Sequence, residues 1–423
     1  MKKYILIIAI LLSGFSMGCK KNDDSAPMQM ALQNEPPLSF DLINVPDNAE
    51  DVDVTPTLSW ESAKNPKGSK VTYDLYLGTE VNPTTLFQGD SNDASFEITD
   101  RLHLLTDYYW KVVAKDTDGK ISQSPIHKFT TRNITLPNEP VTAAADFSPR
   151  GGHASVVFDN KMWVIGGYDM DSKNDVWYSN DGVNWTEATP VAAFEERAGH
   201  ASVVFDGKIW IIGGSDNSAK NDVWFNANGV DWEMATATAE FSARFGHTAV
   251  VFENKIWVIG GVGNGSVFSN DVWYSHDGID WELATDSAPF SKRSGHVSVI
   301  FDNKLWVIGG TGSGLGEHKN DVWFSSDGLN WTKATSIAAF EERSGHASVV
   351  YDGKIWIIGG YEDETNGGYK KDVWYSIDGT NWDLATTDYI EWFRHTSVVF
   401  QDNIWIVGGE STDGRKNEVW AMD

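Results

Sequence analysis

At 423 residues the chain is too long for one ordinary domain, so its length favours two or three structural units. It carries 60 acidic residues against 33 Lys and Arg, a formal net charge of -27. Such a surface repels phosphate backbones and anionic lipid headgroups, so nucleic acid is excluded as an expected partner.

The N-terminal residues predict export and a lipid anchor. The apolar run from Tyr4 to Leu12 is too short to cross a bilayer as a mature helix, so residues 1–18 are interpreted as a signal peptide. Ser16 to Cys19 resembles the lipobox of bacterial lipoproteins, which implies lipidation of Cys19, the single cysteine of the chain. The acidic stretch after it resembles the export tag of surface lipoproteins. We therefore expect residues 19–36 to be a lipidated tether of an outer membrane lipoprotein that is exposed on the cell surface and contacts the membrane only through its anchor.

Residues 37–131 alternate short apolar segments with turn residues, a pattern typical of an antiparallel β-sandwich. The expected core residues are Trp60, Tyr73, Leu75, Leu102, Tyr109, Trp110 and Val112. Leu58-x-Trp60, the strand Tyr73 to Gly78, and Phe129 to Thr131 resemble a fibronectin type III domain. This resemblance implies a spacer or adhesive unit without catalytic residues.

One phrase of sequence then occurs six times. Its histidine recurs every 47 to 50 residues, at His153, His200, His247, His296, His346 and His395. A complete copy predicts four strands, with an Asp-Gly-type turn, a double glycine and a second turn between them. These features resemble the kelch repeat. We therefore predict an all-β fold, a six-bladed kelch-type β-propeller over residues 132–423 preceded by a fibronectin type III-like β-sandwich.

The sixth copy ends without a fourth strand. Asn133 to Asp146 stands just ahead of the first inner strand, where a fourth strand would precede the next blade. We expect this segment to complete the sixth blade and close the ring, which removes two exposed sheet edges.

Repetition separates scaffold from candidate site. Five copies hold three tryptophans each, the sixth holds two, and Trp60 and Trp110 precede the repeats, which leaves Trp392 alone among the 20. An arginine stands three residues before each histidine except in the sixth copy, where Trp392 takes its position. We favour arginines paired with acidic or carbonyl groups, with a cationic mouth for a carboxylate or sugar hydroxyls as the alternative. The candidate ligand-binding residues on this face are Trp392, Phe393, Arg394, Arg150, Arg197, Arg244, Arg293, Arg343, Tyr168 and Tyr361.

The repeated histidines favour packing over chemistry. A polar residue repeated in every blade is expected to be a hydrogen-bonded packing element, because six-fold repetition does not bring metal ligands together. No catalytic triad, phosphate loop or metal-ligand spacing stands out, so we assign no catalytic residue, no metal and no cofactor.

The favoured function is a surface-anchored binding lipoprotein that holds a glycan or a protein partner on one propeller face. Galactose oxidase also has a kelch propeller, but its chemistry needs a tyrosine crosslinked to a cysteine. The single cysteine of this chain, Cys19, is assigned to the lipid anchor, so galactose oxidase activity is not expected. Sialic acid mutarotases are also six-bladed kelch proteins, so a carbohydrate isomerase is an alternative function. Adhesion or a structural role is a third possibility. The candidate acid/base residues for an isomerase are Glu195, Glu196, Glu341, Glu342 and Glu391.

Overall fold

A computed structural model describes residues 35–314, 317–363, 368–387 and 391–423. The chain divides into two compact units, Met1–Arg132 and Asn133–Asp423. Cys19 and the expected signal peptide lie outside the described residues. Within the described ranges, no helix has the length and apolar character needed to cross a membrane.

Nine strands lie in residues 35–132, the described part of the first unit. They are β1 Leu42–Asn44, β2 Ala49–Val52, β3 Thr57–Trp60, β4 Val71–Gly78, β5 Leu86–Ser91, β6 Ser95–Glu97, β7 Asp107–Asp116, β8 Ile121–Gln123 and β9 His127–Thr131. One sheet has the order β1-β3-β6 and the other the order β2-β9-β7-β4-β5, with β8 beside β7. All neighbours are antiparallel except β2 and β9.

The two sheets of this unit face each other across an aromatic core. The rings of Trp60 on β3 and Tyr73 on β4 meet edge to face at 5.5 Å. Six of the seven expected core residues are buried, but Tyr109 is only half-buried. Side chains alternate along β7, so Tyr108 and Trp110 face the core and Tyr109 faces away from it.

The described residues of the second unit form six sheets of three or four strands, each made from one copy of the repeat, which we call blades 1 to 6, and one additional two-stranded sheet. Blades 1 and 2 are β10 Ala154–Phe158, β11 Lys161–Tyr168, β12 Ser172–Ser179, β13 Trp185–Thr189, β14 Ala201–Phe205, β15 Lys208–Asp216, β16 Ser218–Asn226 and β17 Glu233–Thr236. Blade 3 comprises β18 Thr248–Phe252, β19 Lys255–Ile259, β22 Val272–Ser275 and β23 Glu282–Thr285, with a small excursion of β20 Val262–Gly263, a 3-10 turn Asn264–Ser266 and β21 Val267–Phe268.

The remaining blades repeat this plan. Blades 4 and 5 are β24 Val297–Phe301, β25 Lys304–Thr311, β26 His318–Ser325, β27 Trp331–Thr335, β28 Ala347–Tyr351, β29 Lys354–Ile358, β30 Val373–Ser376 and β31 Asp383–Thr386. Blade 6 has three strands, β32 Thr396–Phe400, β33 Asn403–Ser411 and β34 Gly414–Met422. In every blade the strands pair antiparallel in chain order.

The blades form a closed ring. The first strand of each blade contacts the first strand of the next, and β32 of blade 6 contacts β10 of blade 1. The segment before blade 1 lies along β34, where Thr142 and Val419 exchange backbone hydrogen bonds of 3.1 and 2.8 Å. It therefore stands where a fourth strand of blade 6 would be, as the sequence predicts.

The propeller core lies between adjacent blades. Val156 and Ile165 of blade 1 pack with Ile209, Ile211 and Trp224 of blade 2 in one buried cluster, and equivalent clusters follow around the ring. Five phenylalanines of the links between blades meet fourth-strand tryptophans edge to face at 5.1 or 5.2 Å. The repeated tryptophans are therefore packing residues.

Candidate functional site

A cavity of about 440 Å³ opens at the centre of one face, where the inner strands begin. We call it the axial pocket. Its floor is formed by the residue that precedes each repeated histidine. These six floor residues are Gly152, Gly199, Gly246, Gly295, Gly345 and Arg394.

The floor residues form a closed ring of backbone hydrogen bonds. The N–H of Gly199 donates to the carbonyl of Gly152, the same bond repeats from blade to blade, and Gly152 finally donates to Arg394, all at 2.8 or 2.9 Å. Each floor residue has a φ between 52° and 64°, which is the left-handed region. Glycine adopts this conformation without a steric cost because it has no Cβ. Arg394 adopts it too, but at a steric cost from its Cβ.

The pocket walls differ from blade to blade. One wall position precedes each floor residue, and it is occupied by Gly151, Ala198, Phe245, Ser294, Ser344 and Phe393. A second follows the double glycine, and the wall residues there include Tyr168, Ser215, Thr311 and Glu410. The two wall positions of a blade exchange backbone hydrogen bonds, as Phe393 and Glu410 do at 3.0 and 2.8 Å. A symmetric frame therefore presents an asymmetric set of aromatic, hydroxyl and charged groups.

Blade 6 supplies the charged part of the pocket. The side chain of Arg394 is 57% exposed, and its guanidinium lies 4.8 Å from the ring centroid of Phe393. Glu410 Oε1 lies 3.7 Å from Arg394 Nη1 and 3.9 Å from Arg415 Nε. Gly151 leaves room for this carboxylate, because a Cβ there would stand 2.8 Å from Glu410 Oε1.

Comparisons with known proteins identify the fold of the second unit. Residues 199–409 match the model of the KLHDC2/KLHL20/DRC7 Kelch-repeats domain, and residues 149–178 match the Kelch motif. The second unit is a kelch-type β-propeller. The solved structure of YjhT is similar, with a TM-score of 0.56 and 18% identity over 67% of this chain and 96% of that chain. This likeness concerns the fold, and no curated protein sequence matches the chain.

The five repeated arginines are scaffold of the kelch propeller, so their assignment to ligand binding is wrong. Each is at most 1% exposed and forks onto an aspartate of its own blade at 2.6 to 2.9 Å, while Nη1 also donates to a glycine carbonyl. The pairs are Arg150–Asp175, Arg197–Asp222, Arg244–Asp271, Arg293–Asp321 and Arg343–Asp372. Burial alone would raise the pKa of these aspartates, but the arginine hydrogen bonds and charge hold it below its ordinary value.

The assignment of Trp392 to ligand binding is also wrong. The side chain is 2% exposed and lies edge to face with Trp420 at 6.0 Å. It occupies the space that the buried arginine fills in the other blades, and Glu418 replaces the aspartate, accepting a hydrogen bond of 3.1 Å from Trp420 Nε1. In blade 6, Trp392 therefore fills by apolar packing the space that a buried arginine, paired with an aspartate, fills in the other five blades.

The other expected site residues divide into two groups. Phe393, Arg394 and Tyr168 line the pocket, whereas Tyr361 lies behind it, with its ring 5.3 Å from that of Phe393. None of the five candidate acid/base glutamates is among the pocket-lining residues. Glu195 pairs with Lys220, Glu341 with Lys370, and Glu391 accepts hydrogen bonds from Thr412.

The six histidines lie under the pocket as buried packing residues. Burial, followed by the charge of Arg150, lowers the pKa of His153 to about 3, so the imidazole is neutral at physiological pH. The Cβ of a residue at Gly408 would stand 3.0 Å from the Cε1 of this ring, which shows how closely blades 6 and 1 approach. In the described part of the chain, no group of three or more His, Cys, Asp or Glu could hold a metal ion.

Two important pocket residues were missed from the sequence. Phe245 and Glu410 occupy wall positions, but they stand out only when the six copies are aligned on the arginine and on the double glycine. The sequence does indicate both wall positions. Across the six copies the residue before each wall position is nearly constant, whereas the wall residue itself varies among the copies. Trp392 is the larger departure from the repeat pattern, but its position is buried.

Proposed function

We propose that the protein is a surface-anchored lipoprotein that binds a saccharide in the axial pocket of its kelch propeller. The observation that carries this proposal is the wall of the pocket, where a repeated sequence presents different side chains. Phe245 and Phe393 offer apolar rings, Ser294, Ser344 and Thr311 offer hydroxyls, and Arg394 and Glu410 offer charges. Scaffold repetition does not require this variety, whereas recognition of an asymmetric ligand does.

The pocket suits a small ligand better than a protein surface. Its volume of about 440 Å³ falls within the range of about 300 to 1,000 Å³ that is typical of small-molecule sites. A stable protein partner would need about 800 Å² of matching surface on this side, far more than the pocket wall supplies. Sugars combine hydroxyl groups with apolar ring faces, and this pocket offers partners for both. Protein binding by the face around the pocket is the competing outcome of the test.

A glycan array followed by titration calorimetry of the positive ligands tests the proposal on the full mature chain. Ser294→Trp should fill the pocket and abolish saccharide binding, because Ser294 lies in its wall. Ser287→Trp is the matched control, since Ser287 is exposed and lies outside the pocket lining. If the two variants bind equally well, or if only proteins bind, the proposed site is wrong.

The isomerase alternative now depends on Glu410, the carboxylate among the described lining residues. A mutarotase needs an acid or base within hydrogen-bonding reach of the sugar, and Glu410 is the group that the pocket offers. Saturable binding without anomerisation favours a binding protein. Anomerisation that is lost in Glu410→Gln while binding persists favours the enzyme.

The anchor belongs to the same proposal. Lipidation of Cys19 by acyl chains would hold the propeller at the outer membrane, because each buried methylene contributes about 0.8 kcal/mol. Cell fractionation of the wild type and of Cys19→Ala tests this point. We expect the wild type in the membrane fraction and the variant outside it, and equal fractionation of the two would contradict the anchor.

A further inference from the structure

We propose that the saccharide bound in the axial pocket carries a carboxylate and that Arg394 binds this carboxylate. The inference rests on the proposed saccharide function and names the chemical class of the ligand. At the floor of the pocket five blades have glycine, whereas blade 6 has an arginine.

The backbone of Arg394 is strained. Its φ is 52°, and the five glycines in equivalent positions have φ values between 58° and 64°. A residue with a Cβ in this region costs about 1 to 2 kcal/mol relative to its preferred conformation. Glycine would close the hydrogen-bond ring without this cost, so the backbone gives no reason for arginine. The reason must lie in the side chain.

The side chain of Arg394 contributes little to the packing of the propeller, because it is largely exposed. The buried arginines of the other blades touch their aspartates at 2.6 to 2.8 Å, whereas Arg394 Nη1 stays 3.7 Å from Glu410 Oε1 and is largely exposed. Its contact with Phe393 covers one face of the guanidinium at 4.8 Å. The edge that carries the N–H donors therefore remains available to a ligand in the pocket.

The local charge balance favours a monoanion. Glu410 is shared by two guanidiniums, because Arg415 Nε also lies 3.9 Å from it, so this wall carries one positive charge in excess. Arg415 lies against Tyr168, 4.5 Å from its ring centroid. The net charge of -27 opposes long-range attraction of an anion, so binding must come from direct contacts at this wall.

A carboxylate matches these donors better than other anions. A guanidinium presents parallel N–H groups that bind a carboxylate in a bidentate manner. A sugar acid carries one negative charge, whereas a phosphate monoester carries nearly two. The hydroxyls of Ser294, Thr311 and Ser344, which belong to blades 4 and 5, are then available to the sugar hydroxyls.

Matched ligand pairs test the charge separately from the sugar. Glucuronate and its methyl ester share the sugar ring and differ at the carboxyl group, which is a single negative charge in the acid and neutral in the ester. Glucuronate and glucose form a second pair. Calorimetry with the full mature chain should give acid binding that is about 10 to 100 times tighter than binding of the neutral partner, which is the range of a charge-assisted hydrogen bond.

Arg394→Gly should remove this preference and keep binding of the neutral partner. The variant is expected to fold, because glycine occupies the other five floor positions, and its thermal midpoint should equal or exceed that of the wild type. Arg394→Lys keeps the charge but loses the bidentate geometry, so it should retain only part of the preference. Lys371→Ala is the charge-matched control, because Lys371 pairs with Glu391 outside the pocket lining and should leave the preference unchanged.

Each outcome decides between the proposals. Equal binding of acid and ester by the wild type, or a full preference in Arg394→Gly, overturns the carboxylate inference and leaves saccharide binding standing. Binding of no acidic or neutral saccharide overturns both. Binding limited to peptides with a free C-terminal carboxylate overturns the saccharide and retains only the role of Arg394.

Discussion

At the scale of single residues, Trp392 and Phe393 are neighbours with opposite roles. Trp392 is buried against Trp420, and the ring of Phe393 forms part of the pocket wall. Trp392→Ala should lower the free energy of unfolding by about 3 to 5 kcal/mol, because a large cavity remains. The folded fraction should keep its ligand affinity.

Phe393→Ala should show the reverse pattern. Its ring is half-buried, so the loss of stability should be smaller, while ligand affinity should fall about tenfold through loss of an aromatic contact. Chemical denaturation and calorimetry on both variants check the pair. Loss of affinity without loss of stability in Trp392→Ala would contradict the buried placement.

This pair also shows where sequence reasoning ends. Repetition alone predicted that shared residues are scaffold, and the paired arginines and packed tryptophans agree with that rule. The converse rule says that a residue that breaks the repeat pattern belongs to the site. It is wrong for Trp392, which is buried, but it holds for Arg394, which lines the pocket. Burial separates the two cases, and burial depends on Glu418 and Trp420, which lie far along the chain.

At the scale of strands and turns, each second hairpin contacts the blade before it. Gly229 in the turn of blade 2 lies against Trp163 of blade 1, and a Cβ at Gly229 would stand 1.9 Å from that ring. The turns were predictable because Asn-Gly and Asp-Gly pairs tolerate positive φ. Their contact with the neighbouring blade was not, because it depends on the angle between blades.

Gly229→Ala should therefore destabilise the protein more than backbone strain alone does. Gly207 is the matched control, since its φ of 67° resembles the 82° of Gly229 but a Cβ there meets nothing within 4 Å. The Gly229 variant should lose about 1 to 3 kcal/mol more than Gly207→Ala, the usual cost of overpacking. Equal denaturation midpoints for the two would show that the turn can move away from the tryptophan.

The segments after the double glycines are rich in polar residues, and several of them form strands. In blade 2 the ladder continues past the glycine bulge, with Gly214 opposite Lys220 and Asp216 opposite Ser218. The polar sequence there reads as a loop, because nothing local indicates pairing. Pairing is imposed by the rigid strands below, which hold both chain segments at ladder distance.

At the scale of the whole molecule, the ring closes through residues from its two ends. Asn417 Nδ2 donates to the carbonyls of Ala145 and Phe147 at 2.8 and 3.1 Å. Asn221 makes the equivalent bonds to Ala239 and Phe241 in blade 2, where the chain is continuous. Both alanine variants should cost about 1 to 3 kcal/mol, because buried carbonyls lose their donor.

Only Asn417→Ala should loosen the closure. Hydrogen exchange at the amides of Thr142 and Ala145, which bond to the carbonyls of Val419 and Asn417, should become faster in this variant and stay unchanged in Asn221→Ala. Equal exchange in both variants would mean that the closing segment is held by other contacts.

The ring of histidines predicts how the whole propeller responds to acid. Burial lowers the pKa of His153, His200, His247, His296 and His395 to about 3, and it lowers that of His346 as well. In the unfolded chain these imidazoles take up protons near pH 6.5, while the folded chain stays neutral, so unfolding binds protons below that pH. Stability should be fully present above about pH 6.5 and fall steeply as the pH drops toward 3. The paired aspartates lose their contribution only below their ordinary pKa of 3.8, so the loss between pH 6.5 and 5 belongs to the histidines.

Denaturation measured across this pH range should show how steeply the free energy of unfolding depends on pH. This dependence should decrease by about one bound proton in His247→Gln and stay unchanged in the exposed control His276→Gln. A flat stability curve between pH 6.5 and 5 would mean that water reaches the histidine ring and lets it take up protons in the folded state.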